Sequence, residues 1–208
     1  MTDTTAPAPQ DLPAFTGRRL LYAATGALTA AHTPFWVNWV RLYYPEVSVR
    51  MLVTRSAERF VTRQALASLS GTDVMVDGWP EDPAAEAPHV ELAEWADTFV
   101  VTPATLGFCS RLAAGLTDSP LLLALQCTRA PVALAPSLPP GGAESVAYRR
   151  ALSVIGEMPH VTVVPPVPGL SATTGRWDAT INPPLPAVFA AAEALRGTMA
   201  AAEPGGRT

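Results

Sequence analysis

A chain of 208 residues, 49% of them hydrophobic, carries enough apolar material for one domain with a substantial core. Its formal net charge is -4 and it contains no lysine, which argues against a nucleic-acid partner held on a basic face. Its two cysteines, Cys109 and Cys127, are too few for a disulfide framework and lack metal-ligand spacing, so both read as small buried residues. The apolar stretches stop well short of a membrane span and no early segment reads as a secretory signal; the expected setting is the cytoplasm, with no membrane association.

In chain order, residues 1–16 are rich in Thr, Pro and Ala and read as a disordered lead-in to a domain at 17–196. The short runs Arg19–Ala24, Val47–Val53, Thr98–Val101, Pro131–Ala135 and Val161–Val164 suit strands buried on both faces of a parallel sheet. Between the first two, Phe35, Trp36, Trp39, Val40 and Tyr43 recur at helical spacing, with Pro34 tolerated in the first turn. Further helices are predicted over Arg59–Leu69, from His89 to the following strand, over Ala104–Gly115 and over Glu144–Ile155. A proline-rich tract then opens a projecting loop or hairpin, about 166–182, and a last helix over Leu185–Leu195 packs back on the sheet. Residues 197–208 read as a disordered tail. Strands alternating with helices imply an α/β, doubly wound parallel sheet in a three-layer sandwich, flavodoxin-like or Rossmann-like, with a ligand crevice at the carboxyl ends of the strands.

Three of those strand ends carry the small or hydroxylated residues that an anion needs. The first holds Thr25, Gly26 and Ala27, where glycine lets the backbone approach a phosphate. The second holds Thr54 and Ser56, followed by Phe60; the hydroxyls suit either a phosphate or a helix cap. The third holds Pro103, Ala104 and Thr105. One such turn says little, but three along one sheet edge favour a cofactor crevice.

The segment His89-Val90-Glu91-Leu92-Ala93-Glu94-Trp95-Ala96-Asp97 is more specific. Together with Ala30-Ala31-His32-Thr33-Pro34, the Thr54/Ser56/Ala57/Phe60 stretch, Pro103–Thr105, Ala113–Asp118 and Gly175-Arg176-Trp177, it resembles the homo-oligomeric flavin-containing cysteine decarboxylases over about residues 17–195. The resemblance implies FMN as cofactor, with Asp118 joining the three strand ends as a binding residue. It also implies a trimer, commonly built into a dodecamer. In such enzymes the flavin oxidises the thiol-bearing carbon to a thioaldehyde, carbon dioxide leaves and an enethiol remains. By similarity His89 assists deprotonation of the thiol, a role suited to an imidazole. His32 and His160 have no comparable context and read as structural or exposed.

Two departures refine this reading. Relatives that reduce the enethiol carry a cysteine shortly before the Gly-Arg clamp, and Leu170–Gly175 has none. The resemblance therefore points to the decarboxylases of ribosomal-peptide maturation, whose substrate is a precursor peptide ending in cysteine and whose product enters an aminovinyl-cysteine ring, alongside other maturation enzymes. The family's carboxylate-holding asparagine is also missing near Pro136–Gly141, so Ser137, Gly175 and Arg176 are the candidate substrate contacts. For Arg176 a salt-bridged surface role stays open. Two other readings compete with the enzyme: a catalytically degenerate, flavin-bearing partner subunit, and a flavodoxin-like electron carrier.

Overall fold

The computed structural model describes residues 12–81 and 87–202. Strands β1 (Arg19–Ala24), β2 (Ser48–Val53), β3 (Val74–Val76), β4 (Thr98–Thr105), β5 (Val132–Ser137) and β6 (Val161–Val163) form one sheet in the order β3-β2-β1-β4-β5-β6. All of its pairings are parallel. This is the doubly wound arrangement expected of the alternating pattern, and the strand order reverses between β1 and β4.

Successive residues along a strand serve opposite cores, as a two-residue period demands. Leu20, Tyr22 and Ala24 of β1 enter one cluster, with α1 (Thr33–Tyr43), α2 (Arg63–Ser70) and α7 (Leu185–Ala202). Leu21 and Ala23 enter the other, with α3 (Pro88–Trp95), α4 (Leu106–Ala113), α5 (Pro120–Cys127) and α6 (Val146–Ile155). A sheet covered on both faces explains why its strands read as unbroken apolar runs.

The expected hairpin is formed by β7 (Val167–Gly169) and β8 (Ala179–Ile181), paired antiparallel. Backbone bonds between Leu138 and Thr180 tie it to the end of β5 (Leu138 N–H to Thr180 C=O, 2.7 Å).

Several boundaries differ from expectation, each for a local reason. The third small-residue turn belongs to β4, which runs on through Thr105 because Ala104 and Thr105 pair with Pro136 and Ser137. Helix α4 begins only at Leu106, where the Thr105 hydroxyl accepts the Phe108 N–H. Thr62 and Ser145 cap α2 and α6 in the same way, moving both starts inward. Neither β3 nor α5 was anticipated. Three residues are too few to show a period, and α5 is buried on most sides, so it lacks an amphipathic stripe.

The ends of the domain are also corrected. Residues 12–16, expected to be a disordered lead-in, are packed: Phe15 is buried and stacks on Phe189 with ring centroids 4.2 Å apart. The Tyr44 hydroxyl donates to the Pro13 carbonyl at 2.8 Å, and the Thr16 N–H donates to Glu193 at 3.0 Å. Residues 197–202, expected to be tail, complete α7. Residues 1–11 and 203–208, for which disorder was expected, lie outside the described residues.

Phe189 is fully buried and touches the rings of Phe15, Trp39 and Tyr44. Phe189→Ala is expected to cost roughly 3–5 kcal/mol, because the cavity left between α7 and α1 cannot collapse against stacked rings. Urea denaturation of the two proteins checks this; a loss below about 1 kcal/mol contradicts the packing described.

Candidate functional site

Thr25 follows β1 and is 1% exposed. Its N–H and its hydroxyl both donate to the Pro103 carbonyl, at 3.1 and 2.8 Å, and its hydroxyl oxygen accepts the Thr105 N–H at 2.8 Å. Thr25, expected to contact a cofactor, does not line the groove described below; its N–H and hydroxyl proton are engaged in joining the ends of β1 and β4. Pro103 and Ala104, expected to be binding residues, are buried in β4 and serve the same junction.

Gly26 comes next, and its conformational role is a close approach. A Cβ there would sit 2.4 Å from the Ser56 Oγ and 3.0 Å from the Ser56 carbonyl carbon. The Gly26 backbone thus packs directly against the Ser56 side chain, just beyond β2. The Ser56 hydroxyl lies 3.0 Å from that of Thr54, which also accepts the Ala57 N–H at 3.3 Å. Both residues, with half-buried Phe60, stand behind the Gly26 turn rather than in the groove that opens beyond it.

That groove holds about 860 Å³, within the roughly 300–1,000 Å³ of small-molecule and cofactor sites. Gly26 and Ala27 line it at the end of β1, Thr105 and Gly107 at the end of β4, and Ser137 at the end of β5. Ser137 accepts a hydrogen bond from the Thr29 hydroxyl at 3.3 Å. The far wall is the β7–β8 hairpin, including Leu170, Ser171, Thr173 and Trp177. The groove lies at the topological switch between β1 and β4, where doubly wound sheets take ligands.

A planar, phosphate-bearing group fits these residues. Gly26 and Ala27 bring backbone and one small side chain to the groove, hydroxyls enter it from the ends of β4 and β5 and from Thr29, and the hairpin adds apolar surface. Next to the groove residue Ile181, Asn182 donates to the Thr102 hydroxyl at 3.1 Å while its own side-chain oxygen is buried without a partner. His32, expected to be structural or exposed, is exposed and lines the groove, at the junction of the Leu28–His32 3-10 turn with α1.

The His89–Asp97 segment divides sharply between structure and chemistry. Leu92 and Ala96 are core residues. Glu91 pairs with Arg50 of β2 at 2.7 Å, and the Arg50 guanidinium lies over the Trp95 ring at 4.4 Å. One Asp97 carboxylate oxygen accepts the N–H groups of Arg18 and Arg19, both at 2.9 Å, fixing the start of β1. His89 holds no neighbour in this way. Its Nδ1 is buried without a partner among the described residues, and its ring meets Trp79 edge-on, centroids 5.6 Å apart. It stands in the first turn of α3, and so at the carboxyl edge of the sheet, but it does not line the groove of its own chain.

Other candidates fall outside the groove as well. Asp118 is exposed and bonded to Arg111 at 2.6 Å, a contact that holds its carboxyl below the ordinary carboxylate range. Gly175 adopts a positive φ at the hairpin tip, and Arg176 donates from both Nε and NH2 to one Asp178 oxygen at 2.9 Å. The salt-bridged surface reading of Arg176 thus describes its place in the single chain. Cys109 is buried as expected, and burial pushes its thiol up to about 12. Cys127 is instead exposed, because it ends α5 on the side away from the core.

Fold and groove together define a doubly wound, flavodoxin-like protein with a nucleotide-sized site at its switch point. Residues 13–181 match the family described as Flavoprotein. The chain is 35% identical over 182 residues to a cypemycin cysteine dehydrogenase (decarboxylating) of Streptomyces sp, covering 88% of this chain and 94% of that protein. A crystal structure of the cypemycin decarboxylase CypD superposes with TM-score 0.74 at 32% identity, over 90% of this chain and 98% of that one. The coenzyme A biosynthesis bifunctional protein CoaBC of Escherichia coli is 34% identical over 127 residues, which is 59% of this chain and 30% of that protein. The chain belongs to the Flavoprotein family.

Two measurements follow. Thr25→Val keeps shape but strips the Pro103 carbonyl and the Thr105 N–H of a partner, so a loss of about 1–3 kcal/mol in stability and weakened flavin retention are expected; unchanged melting and flavin content contradict the junction described. A thiol reagent applied to the native protein is expected to label Cys127 alone, and Cys109 only after denaturation. Rapid native labelling of Cys109 counts against its burial.

Proposed function

We propose that this protein is an FMN-dependent decarboxylase that oxidatively removes the terminal carboxylate from a precursor peptide ending in cysteine, giving an aminoenethiol for an aminovinyl-cysteine ring. The observation that carries this is the likeness to the cypemycin cysteine dehydrogenase, end to end in both chains, combined with a nucleotide-sized groove at the switch point. FMN held in this groove would supply the two-electron acceptor that oxidation of the thiol-bearing carbon needs before carbon dioxide can leave.

The chain's own residues supply position and proton transfer. The β1 and β4 ends, with Gly26 and Thr105, would hold the cofactor. The hairpin presents Ser171, Thr173 and Trp177 over the groove and shields the peptide terminus from water. Between Leu170 and Gly175 no cysteine stands ready to give a hydrogen back, so the reaction ends at the enethiol. Arg176, freed from Asp178, contacts the peptide.

His89 takes the thiol proton. As it stands apart from its own groove, it serves the groove of an adjacent copy. The assembly is a trimer, extended in a dodecamer, with the exposed Trp79 and Val90 beside His89 available for that contact. The enzyme works in the cytoplasm alongside other maturation enzymes. Among the described residues no helix is long and apolar enough to cross a membrane.

Incubation with a cysteine-terminated peptide is expected to remove carbon dioxide and two hydrogens, about 46 Da by mass spectrometry. His89→Asn is expected to stop the mass change while the protein stays yellow. Flavin retained by the wild type with no mass loss on any such peptide favours the partner-subunit reading instead, and undiminished turnover by His89→Asn removes the histidine from the mechanism.

A further inference from the structure

We infer that His32 is the cationic anchor of this groove, recognising an oxyanion (the phosphate of the flavin or the terminal carboxylate of the peptide). The inference rests on the flavin-dependent reading above and adds to it a residue that nothing in the His89 segment supplies.

The groove is lined by small, hydroxylated and apolar side chains, and among the described residues His32 is the one ionisable side chain in its wall. The elements packed on its 3-10 turn, α1 and β4, bring no competing charge. Strand β4 contains no ionisable residue. On α1 the ionisable side chains are Arg41 and Tyr43, at the opposite end, and Arg41 donates to the Leu69 carbonyl. Asp178 stands on the hairpin that forms the far wall but is held by Arg176 and Thr174 and does not line the groove. His32 itself is exposed, so its ring is open to a ligand.

Any ligand of the proposed class brings negative charge into this site. Backbone N–H groups at the Gly26 turn and the Thr29, Thr105 and Ser137 hydroxyls offer only neutral donors. A protonated imidazole adds a charge-assisted bond, stronger than those. No covalent step is involved.

The test uses the full-length protein and two pairs of probes. Dissociation constants for FMN and riboflavin, read from flavin fluorescence at pH 6.5 and 8.5, isolate the phosphate. Calorimetry of the FMN-loaded protein, with a peptide carrying serine in place of its terminal cysteine and with the same peptide as its carboxamide, isolates the carboxylate. His32→Gln is expected to lower one of the two ratios, FMN over riboflavin or acid over amide, by about tenfold at pH 6.5. His32→Arg is expected to restore that ratio, a rescue that a merely structural residue would not show. Whichever ratio moves identifies the oxyanion. If flavin binds and neither ratio moves in His32→Gln, the inference is overturned while the decarboxylase reading stands; if the wild type binds no flavin at all, both fall.

Discussion

The side-chain hydroxyl of Thr25 holds the site together. It donates to the Pro103 carbonyl and accepts the Thr105 N–H, so the ends of β1 and β4 are fixed at the point where the sheet reverses its strand order. Gly26 then lets the end of β2 close against the same turn, leaving no space for a methyl group between Gly26 and Ser56. From these two constraints the groove follows. Its floor is backbone and small side chains, its edges are hydroxyls, and its roof is a hairpin pinned to β5 through Leu138 and Thr180.

Structure and chemistry share residues unevenly within the His89–Asp97 segment. Glu91, Leu92, Trp95, Ala96 and Asp97 lock α3 and the start of β1 to the sheet through an ion pair, core contacts, a cation-π contact and two backbone hydrogen bonds. His89 is held in place by that scaffold yet has a buried nitrogen with no partner among the described residues. A rigid frame around one unsatisfied group is the arrangement that catalysis by a positioned acid or base requires. The proposed role of His89 therefore needs a second copy of the chain, since His89 does not line the groove of its own.

Much of the fold was legible because burial on both faces writes itself into a strand as an unbroken apolar run: Arg19–Ala24 is found as expected, and β2, β4, β5 and β6 lie within a few residues of theirs. What escaped lacks such a signature. Strand β3 is too short to show a period and α5 is too evenly buried to show a stripe, while Phe15 is anchored by a phenylalanine over 170 residues away in sequence, a contact no local pattern encodes. In the site, glycine and hydroxyl residues at strand ends located the groove, with Gly26, Ala27, Thr105 and Ser137 all on its wall. The pattern could not separate a hydroxyl that binds a ligand from one that ties two strands, and Thr25 proved to be the second kind. His32 falls inside the Ala30–Pro34 match, but distant elements build the wall in which it is, among the described residues, the lone ionisable side chain.

The central claim is that the crevice between β1 and β4 seats the flavin and that another copy's His89 faces it. A crystal structure of the yellow, full-length protein tests this most directly. The account predicts an isoalloxazine ring in the groove bounded by Gly26, Thr105 and Ser137, with the phosphate at the β1 turn and a neighbouring chain's imidazole close to the ring. A flavin bound elsewhere, or His89 facing solvent in every copy of the assembly, would contradict it.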